Sequence, residues 1–255
     1  MARILAFFNQ KGGTAKTTST LNVGAALAER GRSVLVVDLD PQASLTMALG
    51  VNVAAVQGST YDLLTDEDRP LADLTVPTPV FGLSLVPSHP DLAVAELELI
   101  NMLERERQLA HKLSGALPYD YVLLDSPPSL NILSINILVA ARELVIPIEP
   151  HPLALLVLPR LFDTLRKVRR LNQDLQVMGF LPTKVQRQAR LTQDMLATLE
   201  QRYPACPLLP AVPWSVKGAE AVVERNSILH YSSRSPVAAA YREVAAALEQ
   251  QESVP

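Results

Sequence analysis

The sequence is poor in cysteine, in aromatic residues and in long apolar runs. Cys206 is the single cysteine among 255 residues, which leaves no disulfide framework. The same count excludes an iron–sulfur cluster, which needs several thiolates, so we expect Cys206 to be a packed thiol. No uninterrupted apolar run reaches the roughly 18 residues of a membrane span, and no signal-peptide pattern is visible. These absences predict a cytoplasmic protein.

The chain also lacks a strong excess of either charge. Lys and Arg number 23 against 26 Asp and Glu, which gives a net charge of −3 and an isoelectric point near 5.8. Any contact with nucleic acid must therefore come from a local basic patch. With 48% hydrophobic and 19% charged residues, the composition is that of a globular protein with a substantial core.

The most informative segment is 9–18, Asn-Gln-Lys-Gly-Gly-Thr-Ala-Lys-Thr-Thr. It lies between an apolar run that predicts a strand and a periodic pattern that predicts a helix. A glycine-rich turn in that position cradles phosphates, because its N–H groups point inward and the helix dipole adds positive potential. Lys16 is placed to reach the β- and γ-phosphates, and the Thr17 hydroxyl to ligate Mg²⁺. The two glycine positions of the usual pattern hold a glutamine and Ala15, and a second lysine, Lys11, precedes the glycines.

Two further apolar runs end in carboxylates. The run 33–37 leads into Asp38 and Asp40, and the run 121–124 leads into Asp125. Continuous apolar runs are typical of buried parallel strands, and open α/β sheets bind ligands at the carboxyl ends of their strands. Next to a phosphate-binding loop these carboxylates predict a site for Mg²⁺ and water, with Asp125 holding a water on the metal.

Strand and helix patterns alternate along the whole chain. This predicts an α/β fold with a mostly parallel, twisted sheet covered by helices on both faces. A single domain over 1–255, without an N-terminal helix-turn-helix extension, is the simplest organisation. The predicted strands are 3–9, 33–38, 83–86, 121–125, 144–148, 176–181 and 208–212, and the predicted helices are 17–30, 41–49, 91–113, 130–141, 154–171, 191–202 and 236–250.

Taken in order, the three motifs resemble those of the ParA/MinD family of P-loop ATPases, whose phosphate loop is a deviant Walker A motif. The similarity is closest to the short, Soj-like ParA proteins. It spans roughly residues 3–248 and is firm up to about residue 160. Similar segments include Tyr61-Asp-Leu-Leu, Leu85-Val-Pro-Ser, Asp125-Ser-Pro-Pro, Leu133-Ser-Ile-Asn-Ile-Leu and Val145-Ile-Pro-Ile.

The resemblance implies ATP and Mg²⁺ as ligands. Asp40 aligns with the family's water-positioning aspartate, and Asp38 would support the metal through a water, beside Thr17 and Asp125. In the family the lysine at Lys11 reaches across a nucleotide-sandwich homodimer, like an arginine finger supplied in trans. Lys11, Lys16 and Asp40 are thus the predicted catalytic residues, and the predicted nucleotide contacts are Lys11, Gly12, Gly13, Thr14, Ala15, Lys16, Thr17, Thr18 and Pro213.

The same resemblance implies a molecular timer, in which ATP favours the homodimer and slow hydrolysis releases it. The ATP dimers of ParA relatives bind DNA without sequence preference, and a ParB-like or small adaptor protein stimulates hydrolysis. We therefore expect a nucleoid-associated ATPase that positions a cargo, with salt-sensitive phosphate contacts. The candidate DNA-binding residues are Lys184, Arg187, Arg190, Lys217, Arg225 and Arg234. The basic patch 166–170 we interpret as a charge preference of a helix C-terminus.

Two positions depart from the family pattern. Ala15 stands where the family usually has glycine, so a Cβ must fit beside the phosphates, and a slower or altered hydrolysis is one expected consequence. Trp214 stands where the family commonly has the arginine of an Ile-Pro-Arg stretch. A DNA or partner role is therefore not transferred to Trp214.

Three other readings stay open. A MinD-like membrane ATPase would end in a basic amphipathic helix, whereas this chain ends in an acidic one with a small apolar face. A metabolic P-loop enzyme would need a substrate site that the sequence does not show, and would leave Lys11 without a role. A module that binds ATP without hydrolysing it is kept open by Ala15. The cargo, whether chromosome, plasmid or protein assembly, is likewise open.

Overall fold

The computed structural model describes residues 2–186 and 188–251. At its centre lies a seven-stranded sheet with the order β3-β4-β2-β5-β1-β6-β7. Every neighbouring pair is parallel except the short edge pair β3 and β4. The predicted α/β fold with a mostly parallel sheet is confirmed. The strands are β1 (Arg3–Phe7), β2 (Val34–Asp38), β3 (Val76–Pro77), β4 (Leu83–Val86), β5 (Tyr121–Asp125), β6 (Glu143–Ile148) and β7 (Gln176–Pro182).

Helices cover both faces of this sheet. Those of the described residues are α1 (Lys16–Glu29), α2 (Ser44–Ala48), α3 (Thr60–Thr65), α4 (Leu92–Leu99), α5 (Gln108–Lys112), α6 (Ile132–Ala140), α7 (Pro152–Val168), α8 (Arg190–Arg202), α9 (Val216–Val223), α10 (Ile228–Tyr231) and α11 (Pro236–Gln250). The apolar side chains of α1, α10 and α11 pack in one core layer, and those of α3 to α8 pack in the other.

Alternation along the strands divides the core into these two layers. In β1, Leu5 and Phe7 face the α1 layer, whereas Ile4 and Ala6 face the opposite layer. Because successive strand side chains point to opposite faces, a strand between two helical layers must be apolar at every position. The apolar runs that mark β1, β2 and β5 in the sequence have this cause.

The prediction of one long helix over 91–113 is wrong, because the structure has two separate helices there, α4 and α5. The buried amide of Asn136 lies at the break. Its Oδ1 accepts a hydrogen bond from the Leu109 N–H at 3.1 Å, and its Nδ2 donates to the Arg105 carbonyl at 2.7 Å. These hydrogen bonds replace bonds that a continuous helix would make. The stretch between α4 and α5 contains no glycine or proline, so the sequence gives no local signal of the break.

The predicted strand 208–212 is also wrong. Leu208 and Pro213 form only isolated bridges to Phe180 and Val185, because proline cannot donate to a ladder and prolines interrupt this segment. The predicted helix 41–49 begins only at Ser44, the first residue of α2. Strand β3 and helices α3, α9 and α10 were not predicted. The expectation for Cys206 is confirmed: the thiol is buried, and burial raises its pKa to about 12.

One glycine of β7 has a conformation that tests this packing. Gly179 has a φ of +154°, and a Cβ there would lie 2.5 Å from the Pro207 carbonyl oxygen. Gly179→Ala should therefore lower the free energy of unfolding by about 1–3 kcal/mol, measured by urea denaturation. Gly218→Ala, in helix α9, meets nothing within 4 Å and should be neutral or gain about 0.5–1 kcal/mol. Equal effects of the two changes would contradict this account.

Candidate nucleotide-binding site

The glycine-rich loop connects β1 to α1, as the sequence predicts. Asn9, which sequence reasoning did not single out, holds the start of the loop. Its Oδ1 accepts from the Lys11 N–H at 3.0 Å, and its Nδ2 donates to the Pro147 carbonyl of β6 at 2.8 Å. Farther along, Gly13 has a φ of +75°, a left-handed conformation that glycine adopts at little cost. Hydrogen bonds of Asn9 thus fix the start of the loop, and Gly13 allows the chain to turn before α1 begins.

Ala15 caps α1 in the left-handed conformation, with φ 61° and ψ 34°. A residue with a Cβ is destabilised there by about 1–2 kcal/mol relative to glycine. The methyl group lines the cavity beside the loop. The left-handed conformation accounts physically for a glycine preference at this position, and the Cβ of Ala15 lies at the wall of the cavity.

Lys16 is the first residue of α1 and is buried. Its Nζ donates to the Lys11 carbonyl at 3.4 Å. Burial lowers the pKa of Lys16, and the carboxylates of Asp125 and Asp40 act in the opposite direction. A desolvated ammonium at the loop is suited to bind phosphate oxygens, whose charge would compensate for the lost hydration.

Asp38 and Asp125 end neighbouring strands and lie directly opposite each other in the register of β2 and β5. Asp38 is fully buried and accepts from the Thr46 N–H and hydroxyl, at 2.8 and 2.7 Å, and from the Asp40 N–H at 3.2 Å. Burial nevertheless raises its pKa to about 6. Because this value exceeds that of the unfolded chain, the contribution of Asp38 to the free energy of unfolding falls as pH rises from about 4 to 6.

Asp125 carries the observation that bears most directly on a metal. Its Oδ1 accepts from the Thr20 hydroxyl at 3.3 Å, whereas its Oδ2 is buried with no hydrogen-bond partner. Burial, and then the charge of Asp38, raise the pKa of Asp125 well above its usual value. A buried carboxylate oxygen without a partner is costly, and a cation or its water would satisfy it. The residues present therefore fit Mg²⁺.

The oxygen ligands available at this site also indicate which cation it suits. Among the described residues no group of three or more His, Cys, Asp and Glu side chains converges on one point. Mg²⁺ suits such a site, because it keeps several waters and binds through one or two protein oxygens together with substrate phosphates. Thr17 would supply a direct oxygen, and Asp38 and Asp125 would hold waters.

Two adjoining cavities lie along the loop. The first, about 380 Å³, is lined by residues 12–18 and also by Asp40. The second, about 370 Å³, has apolar walls that include Val212, Pro213 and Trp214. Ala15 and Thr18 line both cavities. The first cavity has N–H and ammonium donors that suit phosphates, and the second has apolar walls that suit a nucleoside. Pro213 lines the second cavity, and its contact with a nucleotide stays a prediction.

Lys184, predicted as a DNA contact, lies against the loop. Its Nζ donates to the Gly13 carbonyl at 2.7 Å and lies 3.9 Å from Glu149 Oε2. The neighbouring Thr183 hydroxyl donates to the Thr14 carbonyl at 3.1 Å. Lys184 lines both cavities and has a left-handed φ of 54°. The segment 183–184 therefore braces the loop from outside. The contact of Lys184 with DNA stays a prediction.

The other candidate DNA-binding residues do not converge on the loop. Lys217, Arg225 and Arg234 are exposed, and Arg190 lies 4.0 Å from Asp194 across one helical turn. Arg187 lies outside the described residues. These assignments stay predictions.

Lys11 is half-buried at the front of the loop. Its backbone is bound on both sides, through its N–H and its carbonyl. Its ammonium makes no hydrogen bond or ion pair with the described residues. The backbone of Lys11 is thus fixed while its charge is left available.

Several site residues were missed by sequence reasoning. Thr20 lies one turn after Lys16 on α1, so helical spacing was a usable signal. Asn9 opens the loop motif and could have been proposed from that position. Ser126 donates to the Phe7 carbonyl at 2.7 Å. Thr46 and Thr183 come from distant segments, and nothing local in the sequence connects them to the site.

A phosphate loop at the carboxyl edge of a parallel sheet, beside two strand-end carboxylates, defines a P-loop nucleotide-binding protein. A family model described as an AAA domain matches residues 2–177. The sporulation initiation inhibitor protein Soj of Bacillus subtilis is 37% identical over 247 residues, covering 96% of this chain and 97% of Soj. The chromosome partitioning protein ParA of Myxococcus xanthus is 35% identical over 237 residues, covering 92% and 83%.

The chain belongs to the ParA/MinD family of P-loop ATPases. A solved structure extends the similarity: cobyrinic acid a,c-diamide synthase of Mycobacterium smegmatis, with bound ADP and magnesium, superposes with a TM-score of 0.86 at 36% identity. The match covers 99% of this chain and 96% of that one. The same protein has also been solved with an ATP analogue and magnesium.

The unpartnered oxygen of Asp125 generates a prediction. Asp125→Asn removes a buried charge that faces Asp38, so at pH 7.5 without nucleotide the free energy of unfolding should rise by about 1–3 kcal/mol. The Mg²⁺-dependent part of the stabilisation by ADP should be lost. Thermal unfolding with ADP, with and without Mg²⁺, measures both effects. The exposed Asp73→Asn should change neither, and full Mg²⁺-dependent stabilisation of Asp125→Asn would contradict the metal assignment.

The position of Lys184 against the loop leads to a second prediction for this site. Lys184→Met keeps the length of the side chain but removes the bond to Gly13, and should weaken ADP binding by roughly threefold to tenfold, as for a partly exposed charge-assisted hydrogen bond. Titration with a fluorescent ADP analogue measures this. Lys167→Met, on the exposed end of α7, is the control. Unchanged ADP affinity with weakened DNA binding would instead support Lys184 as a DNA contact.

Proposed function

We propose that this chain is a Mg²⁺-dependent ATPase of the ParA type. Its ATP-bound homodimer would bind DNA without sequence preference and position a cargo, and a ParB-like or small adaptor protein would stimulate slow hydrolysis. The observation that carries the proposal is the contrast between the two loop lysines. Lys16 is buried at the start of α1, with its Nζ bonded to the Lys11 carbonyl, and would bind the phosphates of its own site. The ammonium of Lys11 has no partner among the described residues.

The residues of one protomer would bind and orient the substrate. The loop N–H groups and Lys16 would hold the phosphates, and Thr17 would hold Mg²⁺, whose charge would offset that of the phosphates. Asp40 is buried on the wall of the first cavity. Its Oδ1 accepts from the Gln42 N–H at 2.9 Å, which fixes the carboxylate. The other oxygen has no hydrogen-bond partner among the described residues, and in the proposed mechanism it would orient the attacking water.

Lys11 would complete the site of a second protomer. An ammonium supplied in trans stabilises the charge that develops on the transferred phosphoryl group, and such groups contribute about 10³–10⁵ in rate. A protomer alone would therefore bind ATP but hydrolyse it slowly. This makes ATP occupancy, dimerisation and turnover parts of one cycle, which is the property a positioning ATPase requires.

The alternatives receive less support. The name of the M. smegmatis protein is that of a synthase, which keeps the metabolic reading in view, but that reading gives Lys11 no function. For a MinD-like membrane anchor, the apolar face of α11 would have to be free. Instead Tyr241, Val244 and Leu248 are buried in the core layer with α1. No described helix has the length and apolarity needed to cross a membrane.

The proposal predicts nucleotide-dependent DNA binding. With ATP and Mg²⁺ the protein should bind a non-specific duplex at 50 mM salt and lose affinity at least about tenfold at 200 mM, and with ADP or without nucleotide it should bind weakly. Fluorescence anisotropy of a labelled duplex measures this. Lys11→Ala should keep binding to an ATP analogue and lose the ATP-dependent DNA binding.

Two further variants make this DNA-binding test more specific. Asp40→Ala should hydrolyse ATP more slowly and stay on DNA longer, because dimer release depends on turnover. Arg170→Gln, an exposed change remote from the loop, is the matched control and should behave as the unchanged protein. If Lys11→Ala binds DNA and hydrolyses ATP normally, the trans mechanism is wrong. No DNA binding in any nucleotide state would favour the metabolic reading.

A further inference from the structure

A third cavity, of about 570 Å³, lies away from the nucleotide site. It borders Gln176 and Val177 at the start of β7, between the C-terminal ends of α7 and α8. The nucleotide site lies at the opposite edge of the sheet, past the far end of β7. At about 3.3 Å per strand residue, roughly 20 Å separates the two. None of the residues that line this cavity also lines the two nucleotide cavities.

The inner wall of this cavity is aromatic and rigidly packed. The rings of Phe162 and Tyr203 stack at 4.9 Å with an interplanar angle of 16°. Phe180 contacts both edge-on, at 6.2 and 5.8 Å. Such a cluster offers a preformed apolar surface, because its members already fix one another's rotamers.

The rim of the cavity is basic. Arg166 and Arg169 come from the end of α7, and Arg202 from the end of α8. Arg166 forms an ion pair with Asp163, whereas the guanidinium groups of Arg169 and Arg202 have no hydrogen bond or ion pair with the described residues. No described residue that lines the cavity is acidic.

The helix-dipole interpretation given from sequence explains each arginine alone, since cations are favoured at helix C-termini. It does not explain why Arg169 and Arg202, from two helices, meet at one cavity that no described acidic residue lines. Like charges brought together repel, and a bound anion would relieve that repulsion. Planar guanidinium groups match carboxylates bidentately.

We propose that this cavity is a docking site for an acidic peptide segment of a partner protein. A large apolar side chain of the peptide would pack against Phe162 and Tyr203, with neighbouring carboxylates on Arg169 and Arg202. A peptide fits better than duplex DNA, because a concave apolar pocket accepts an inserted side chain, which a base-paired duplex does not offer. Because no described residue lines both this cavity and a nucleotide cavity, we expect docking of similar strength with ATP and with ADP.

The test is a selection of displayed random peptides on the full chain, followed by measured affinities. Selected peptides should combine Asp or Glu with a neighbouring Phe, Leu or Trp. The double variant Arg169→Gln and Arg202→Gln should bind them at least about tenfold more weakly. Arg170→Gln, next to the rim but outside the cavity, should bind as the unchanged chain does, with ATP or ADP alike.

The same variants show which results would contradict the proposed docking site. Selected peptides that bind the double variant as tightly as the unchanged chain would overturn the proposal, as would a selection that yields no acidic sequences. If the double variant instead loses ATP-dependent binding to duplex DNA while peptide binding is absent, the cavity belongs to a DNA-contacting face. Both arginines are exposed, so the double variant should unfold at the same temperature as the unchanged chain. Thermal unfolding therefore separates loss of binding from loss of fold.

Discussion

The site depends on a pair of buried carboxylates that the fold forces together. Parallel pairing of β2 and β5 places Asp38 directly opposite Asp125, and helical layers on both faces exclude water from them. A pKa raised to about 6 for Asp38 corresponds to roughly 3 kcal/mol of destabilisation of its ionised form. That cost is tolerated at the carboxyl edge because Lys16 and a hydrated cation would offset it. The fold thus has an unfavourable charge arrangement that ligand binding would correct.

Backbone strain at the same edge has a similar origin. Ala15 and Lys184 both adopt left-handed conformations that cost non-glycine residues about 1–2 kcal/mol each. Each is held by its surroundings: Ala15 between the loop and α1, and Lys184 between Thr183 and Val185, which bond to Thr14 and Val212. Strain that persists only because neighbouring bonds over-determine it is typical of functional sites. The bonds that hold Ala15 and Lys184 therefore also fix the shape of the phosphate loop.

Much of this edge was predictable, for a physical reason. A strand buried on both faces must be continuously apolar, so its carboxyl end is marked where the first polar residues appear, as at Asp38 and Asp125. The path between α4 and α5 was not predictable, because the amide of Asn136 decides it from a distant helix. The roles of Thr183 and Lys184 were missed for the same reason. Local sequence patterns mark the ends of the strands. The residues that support the loop and the helix break make contacts between segments far apart in the sequence, and local patterns do not reveal these.

The two edges of the sheet are thereby suited to different tasks. At the carboxyl edge, helix N-termini and lysines gather around buried carboxylates, and the charge there would change with each nucleotide state. At the amino edge, helix C-termini favour arginines, and the charge there is constant because guanidinium groups do not titrate at physiological pH. A parallel sheet flanked by helices enforces this polarity. A partner docked at the amino edge, as proposed, would therefore meet the same charge in every nucleotide state of the carboxyl edge.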